Sequence, residues 1–319
     1  MDKGNNLLFM EKLSAFPIEN DIDIFIMAAS VDNRCYAVFE NLISSGTVIG
    51  QVIVLDYAKA RPAEDSLQYR DYYKLYGRSN VEYVLCDKDG FDCEYISKAS
   101  FTPELRIFVD ITSISVPDIF RLFYVIKEFH DIKTIDVVYT EPKYYHYFNG
   151  LYLDYDYEKD VVEREYSPLV EYFTSAVSRD VMLVCFLGFE RLISKYIHER
   201  KEHSDVIAIN GFPAYYPKLK DISLEHNYEL ISTIGASCVH YAQANNPFSA
   251  YNTLVDIKEK NTGKLLDICV LGSKPMALGA CMFALKNPDI VKVSYPFPKS
   301  HSIHTSIEVS DIWRYKINL

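Results

Sequence analysis

The segment Gly272-Ser273-Lys274-Pro275-Met276 interrupts a long apolar run that resumes after it with helical spacing. These residue types, in this order, open a helix. A serine side chain accepts from a free first-turn N–H, and a proline there gives up an amide that has no intrahelical partner anyway. The remaining amides and the positive end of the helix dipole favour an anion, to which Lys274 adds a full charge. The chemistry on offer is phosphate or carboxylate binding. The same residues also suffice for a plain helix cap surrounded by ordered water.

A second turn of this kind lies in "FVDITSISVPDIF", where Asp110, Thr112, Ser113 and Ser115 precede Pro117 without a lysine. Two arginines open further helices at strand ends: Arg34 in "ASVDNR" beside Ser30 and Asn33, and Arg191 in "GFER" beside Gly188 and Glu190. A guanidinium at such a place holds a phosphate through two parallel hydrogen bonds, or pairs with Asp56, Asp110 or Glu190 and fixes the turn. "INGFPAYYPKLKD" brings Asn210, Tyr215, Tyr216, Lys218 and Lys220 into one loop, either an aromatic and basic surface for a base or a rigid connector bounded by prolines. Tyr139 and Glu141 end one closing strand much as Tyr295 ends another. The candidate ligand-binding set is therefore Arg34, Asp110, Thr112, Ser113, Arg191, Gly272, Ser273 and Lys274.

Signals for catalysis are thin. The chain has no G-x-x-x-x-G-K-[ST], G-x-S-x-G, H-E-x-x-H or G-x-G-x-x-G, so no cofactor is expected and no catalytic residue is assigned. His198 and His203 are spaced wrongly for one helix face, and "HSIH" lacks a third ligand, so no metal is expected. Asp110 and Glu141 are the acid/base candidates should a bound phosphodiester be cleaved by positioning alone.

The elements that must position these residues alternate. Ile22, Ile24 and Ile26 mark a strand, a helical pattern follows Asn33, and "TVIGQVIVLDY", "NVEYVLCDKDG", "LRIFVDITS" and "IKTIDVVYTEP" continue as strands around the helices "SLQYRDYYKLYGRS" and "VPDIFRLFYVIKEFH". "RDVMLVCFLGF", "ERLISKYIHERK", "SDVIAING", "KLLDICVLGS", "KPMALGACMFALKN" and "DIVKVSYPFP" repeat the plan. Arg34 to Pro117 spans 83 positions and Arg191 to Pro275 spans 84, a near-equality expected of a duplicated unit. The expected fold is α/β: two tandem Rossmann-like halves with mainly parallel sheets, related by a pseudo-two-fold duplication, at 1–143 and 179–319. The acidic, tyrosine-rich stretch 144–178 between them reads as a connector or a docking arm.

In open α/β sheets ligands gather beyond the carboxyl ends of the strands, where all of these turns lie. "DICVLGSKPMALGA" resembles the D-x-T-G-G-T-K-P-M turn of the CARF sensor domains of type III CRISPR systems, and "FVDITSISVPDIF" resembles a diverged copy of it. Two such units in one chain are similar to SAVED domains, which bind cyclic oligonucleotides in antiphage defence. The resemblance implies CARF-like halves, a nucleotide or cyclic-oligonucleotide ligand and a partner effector protein. Val270 and Leu271 depart from the family turn, and the first half has no lysine, which implies an asymmetric pocket or one working half.

Composition sets the outer limits. The 319 residues carry a formal charge of −11, which opposes broad binding to duplex nucleic acid or an anionic membrane while leaving room for a small anion in a local basic pocket. Seven cysteines without a C-x-x-C pair read as buried thiols of a reducing cytoplasm. The longest apolar stretch, "VMLVCFLGF", is too short to span a bilayer.

Overall fold

The computed structural model describes residues 7–14, 21–29, 34–57, 80–87, 90–145, 161–162, 180–189, 203, 205–295, 297–298 and 306–319. The chain divides into two compact units, Met1–Tyr152 with Ser302–Leu319, and Leu153–His301. Each is a mixed α/β unit built on a mainly parallel sheet.

In the first unit, β1 (Leu7–Lys12), β2 (Ile22–Ala29), α1 (Arg34–Ser44), β3 (Ile49–Asp56), β4 (Val81–Asp87), β5 (Gly90–Phe91), α2 (Cys93–Lys98), β6 (Ile107–Asp110), α3 (Val116–Phe129) and β7 (Thr134–Tyr145) follow in order. The sheet order is β1-β15-β7-β6-β2-β3-β4-β5, where β15 (Ser306–Asn318) is the last strand of the chain. Its five central strands, β7-β6-β2-β3-β4, run parallel. β-Branched and aromatic residues fill them, and those buried on both faces of the sheet, such as Phe25, Ile26, Val52, Ile53 and Phe108, leave no solvent side. One face packs on Val38, Phe39 and Leu42 of α1.

The second unit contains β8 (Val161–Val162), β9 (Val181–Phe186), β10 (Asp205–Gly211), α4 (Pro217–His226), α5 (Tyr228–Ile234), β11 (Val239–Ala242), α6 (Pro247–Lys260), β12 (Leu265–Val270), α7 (Lys274–Lys286), β13 (Val291–Ser294) and β14 (Phe297–Pro298). Its main sheet is parallel throughout, in the order β11-β10-β9-β12-β13, while β8 and β14 pair separately. α7 is buried from Pro275 to Leu285. Gly279 is required there, since a Cβ would strike the Pro247 carbonyl and lie 2.9 Å from the Ala250 Cβ, so the glycine lets α6 and α7 approach closely.

Numbered by appearance within each unit, both parallel cores have the strand order 3-2-1-4-5, five of the six strands of the doubly wound order 3-2-1-4-5-6. Each has a switch point between its first and fourth strands, at β2/β6 and at β9/β12.

Three sequence expectations need correction. The second half does not run to residue 319: β15 leaves it and pairs antiparallel with β7 and β1 in the first sheet. Lys218 and Lys220 are not loop residues but lie in the first turn of α4, which Pro217 opens. Tyr139 and Glu141 do not end a strand, because β7 continues to Tyr145 with β15 alongside. The helix expected at "SLQYRDYYKLYGRS", the helix at "ERLISKYIHERK" and most of 144–178 lie outside the described residues. Among the described residues no helix is long and apolar enough to cross a membrane.

Candidate functional site

The first switch point is occupied by the chain's own carboxylates. Asp110 closes β6 and Arg34 opens α1, and both are buried. The Thr112 amide donates to Asp110 Oδ1 at 2.9 Å, the Thr140 amide donates to the Thr112 hydroxyl at 2.9 Å, and Arg34 Nη1 donates to the Thr140 carbonyl at 2.9 Å. Asp110 Oδ2 and the Thr140 hydroxyl, both buried, have no hydrogen-bond partner among the described residues. Burial pushes the Asp110 carboxyl up to about 7, against the hydrogen bonds from Thr112 and the charge of Arg34. Arg34 and Thr112 are thus turned inward onto the sheet, and Ser113 lies half-buried in the turn that follows.

The start of α3 is closed more firmly. Ser115 caps it, accepting from the Asp118 amide at 3.2 Å and donating to Asp118 Oδ2 at 2.6 Å. The Tyr57 hydroxyl donates to Asp118 Oδ2 at 2.7 Å and accepts from the Ser115 amide at 3.1 Å. Arg121 Nη1 donates to Asp118 Oδ1 at 3.3 Å. Asp118 and Arg121 are 2% and 4% exposed, so this is an interior ion pair. The anion expected at this turn is supplied by Asp118 itself. Burial, then the neighbouring Asp118 charge, raises the Tyr57 hydroxyl well above its ordinary range and keeps it a neutral donor.

The second switch point differs at the corresponding place. The chain leaves β12 through Leu271, whose amide donates to the Phe186 carbonyl of β9 at 3.0 Å. Gly272, Ser273 and Lys274 follow, all half-buried. Ser273 caps α7, accepting from the Met276 amide at 3.4 Å, and its hydroxyl donates to the Ala244 carbonyl. The first turn of α7 contains no acidic residue, whereas that of α3 contains Asp118. With no acid in that first turn, the helix dipole and the Lys274 ammonium make this end of α7 positive.

Loops from neighbouring strands build the rest of the edge. Tyr215 donates to the Ala244 carbonyl at 3.0 Å, so the β10 loop, the β11 loop and the Ser273 turn share one acceptor. The loop after β9 is held from α4 and its end: Ser223 Oγ and Asn227 Nδ2 each donate to the Gly188 carbonyl at 3.0 Å, and His226 bonds the Phe189 carbonyl. Asn210 is buried at the end of β10, with Nδ2 donating to the Lys220 carbonyl at 3.1 Å. His203 and Asp267 form a buried contact of 3.2 Å. Glu141 accepts from Trp313 Nε1 at 2.8 Å, and burial raises its carboxyl above the usual range.

Of the sequence candidates, Arg34, Asp110 and Thr112 come together at the first switch point, and Gly272, Ser273 and Lys274 at the second. Arg191, Ser30, Asn33 and Glu190 lie outside the described residues. Tyr57, Asp118, Arg121, Phe212, Tyr241 and Ala244 were not singled out. Asp118 alone carried a local signal, the S-x-x-D capping pattern Ser115-Val116-Pro117-Asp118.

No family model matches the chain, and no curated protein matches it. Among solved structures it is similar to a functionally unknown protein from Pseudomonas aeruginosa, with 10% identity over 86% of this chain and 93% of that one, at a TM-score of 0.25. It is also similar to the cytoplasmic domain of a prokaryotic cation chloride cotransporter, with 9% identity over 89% of this chain and 98% of that one, at a TM-score of 0.27. Likenesses this distant bear on no function.

Proposed function

We propose that the chain is a binding module for a nucleotide or cyclic oligonucleotide, the cytoplasmic sensing subunit of a bacterial antiphage defence system that acts through a partner effector. One observation carries this reading: the Gly272-Ser273-Lys274 turn, which resembles the CARF turn in sequence, sits at the switch point of a parallel sheet and opens a helix with a lysine and no acid in its first turn. The shared 3-2-1-4-5 order of the two sheets supports an origin by duplication with CARF-like or SAVED-like halves. The acid in the first turn of α3 supports a division of labour in which the second unit alone holds phosphate.

Calorimetry of the full chain against cyclic and linear oligonucleotides tests the reading. At least one is expected to bind, and Lys274→Ala is expected to weaken it at least tenfold, as befits loss of a charged hydrogen bond. Failure of every ligand to bind at high micromolar concentration, or binding indifferent to Lys274→Ala, contradicts it.

The closed start of α3 also favours a second reading, a scaffold subunit that has kept the fold and lost its ligand. Co-purification with a partner that survives Lys274→Ala, in a chain that binds no nucleotide, would select that alternative.

A further inference from the structure

At the carboxyl edge of the second sheet, large aromatic side chains stand in solvent. Phe212, immediately after β10, and Tyr241, on the edge strand β11, are each 50% exposed, and Tyr216 is 46% exposed. Their exposure is held by backbone: the Phe212 amide donates to the Ala242 carbonyl at 2.7 Å, and Asn210 and Gly211 stand in register with Tyr241 and Ala242. The Phe212 and Tyr241 rings meet edge to face with centroids 6.1 Å apart, and the Lys220 ammonium, paired with Asp221 at 3.0 Å, lies over the Phe212 ring at 5.4 Å from its centroid. Such rings in water have unfavourable apolar hydration that a flat partner relieves.

This surface adjoins the Ser273 turn. A Cβ at Gly211 would sit 3.3 Å from the Ala244 Cβ and 3.6 Å from Met276 Sδ, so the residue beside Phe212 lies next to the first turn of α7. Ala244, through its carbonyl, bonds both Tyr215 and Ser273. Only β9 separates β10 from β12, which is about 10 Å at the usual strand spacing. Exposed aromatic rings and a helix start that carries a lysine and no acid, at that separation, match a ligand with an aromatic ring at one end and a phosphate at the other.

We propose that Phe212 and Tyr241 form a base-stacking platform beside the Ser273–Lys274 turn, so that the ligand is recognised through a nucleobase as well as through phosphate. The inference rests on the phosphate reading of that turn and adds the ring to it. Stacking tolerates any base, so the platform supplies affinity for bases without choosing among them.

The test uses the full chain, an adenylate trinucleotide, an abasic trimer of equal charge and inorganic phosphate, with calorimetry on wild type, Phe212→Leu, Tyr241→Ala and Lys274→Ala. The trinucleotide is expected to bind about ten- to a hundredfold more tightly than the abasic trimer. Phe212→Leu and Tyr241→Ala are each expected to shrink that ratio while leaving abasic binding unchanged. Lys274→Ala is expected to weaken both trimers together. Equal affinity of the two trimers for wild type, or equal loss of both in Phe212→Leu, overturns the platform while the phosphate reading stands. A Lys274→Ala chain that binds the abasic trimer as wild type does, or a wild type that binds neither trimer, overturns the phosphate reading and the platform with it.

Discussion

Replacing Asp110 by asparagine should change how stability depends on pH, and the change follows from one buried carboxyl. In the folded chain burial raises that carboxyl to about 7, while in the unfolded chain it titrates near 3.9. Below about pH 4 both states hold the proton and no penalty arises. Between about pH 4 and 7 the unfolded chain releases the proton and the folded chain keeps it, so stability falls by about 1.4 kcal/mol per pH unit. Above about pH 7 both states are ionised and the loss levels off. From pH 5 to pH 8 the loss comes to about 2.5 kcal/mol. The side-chain amide of the Asp110→Asn variant cannot ionise, so the variant's stability lacks this component, while its side-chain oxygen can still accept from Thr112. Trp313, the only tryptophan, lies on β15 of the first unit and reports its unfolding. In urea, with a slope of roughly 2 kcal/mol per molar, the midpoint difference between Asp110→Asn and wild type should move in favour of the mutant by about 1 M between pH 5 and 8. An unchanged difference across that range would refute the account of a carboxyl held in an apolar setting.

Three further outcomes are expected. Asp118→Ala removes the acceptor of Ser115, Tyr57 and Arg121 and leaves the buried Arg121 without that carboxylate, so Trp313-monitored stability should drop by about 3–5 kcal/mol; a loss within about 1 kcal/mol would show that the network is not interior. Gly279→Ala forces a methyl onto the Pro247 carbonyl and should destabilise the second unit by about 1–3 kcal/mol or more, read as a lowered melting temperature. Gly272→Ala should be nearly neutral in the same melt, since the one tight contact of its Cβ, at 3.1 Å, is the thioether of Met276, which can shift, while the Leu187 carbonyl and Phe186 Cβ lie at ordinary distances of 3.5 and 3.6 Å; a large loss there would show that the turn has no such slack.

The parts of the fold written locally were legible. Alternating Ile22, Ile24 and Ile26, and a serine cap followed by proline at both closing turns, depend on neighbours in sequence, and each appears as read. The last strand was not legible, because its register with β7 shifts between Val309 and Ile312, just after Glu308 with its positive φ, and the two-residue period changes phase there. Its partner also lies far away along the chain. Lys218 and Lys220 looked like loop residues between prolines, while Pro217 at a first helical position was the signal that they belonged to α4. The closure of the first turn was half legible: the capping pattern Ser115–Asp118 stands in the sequence, but Tyr57 reaches it from 61 residues away, and only the folded chain brings that hydroxyl to the helix start.

The central claim is that anions settle at the start of α7 and not at the start of α3. Selective ¹⁵N-serine labelling gives one amide at each place, Ser273 and Ser115, for observation during titration with the oligonucleotide that binds most tightly. The account predicts saturable displacement of the Ser273 resonance, its loss in Lys274→Ala, and a stationary Ser115 resonance, whose amide already donates to Tyr57. Displacement of Ser115 with Ser273 stationary would contradict it.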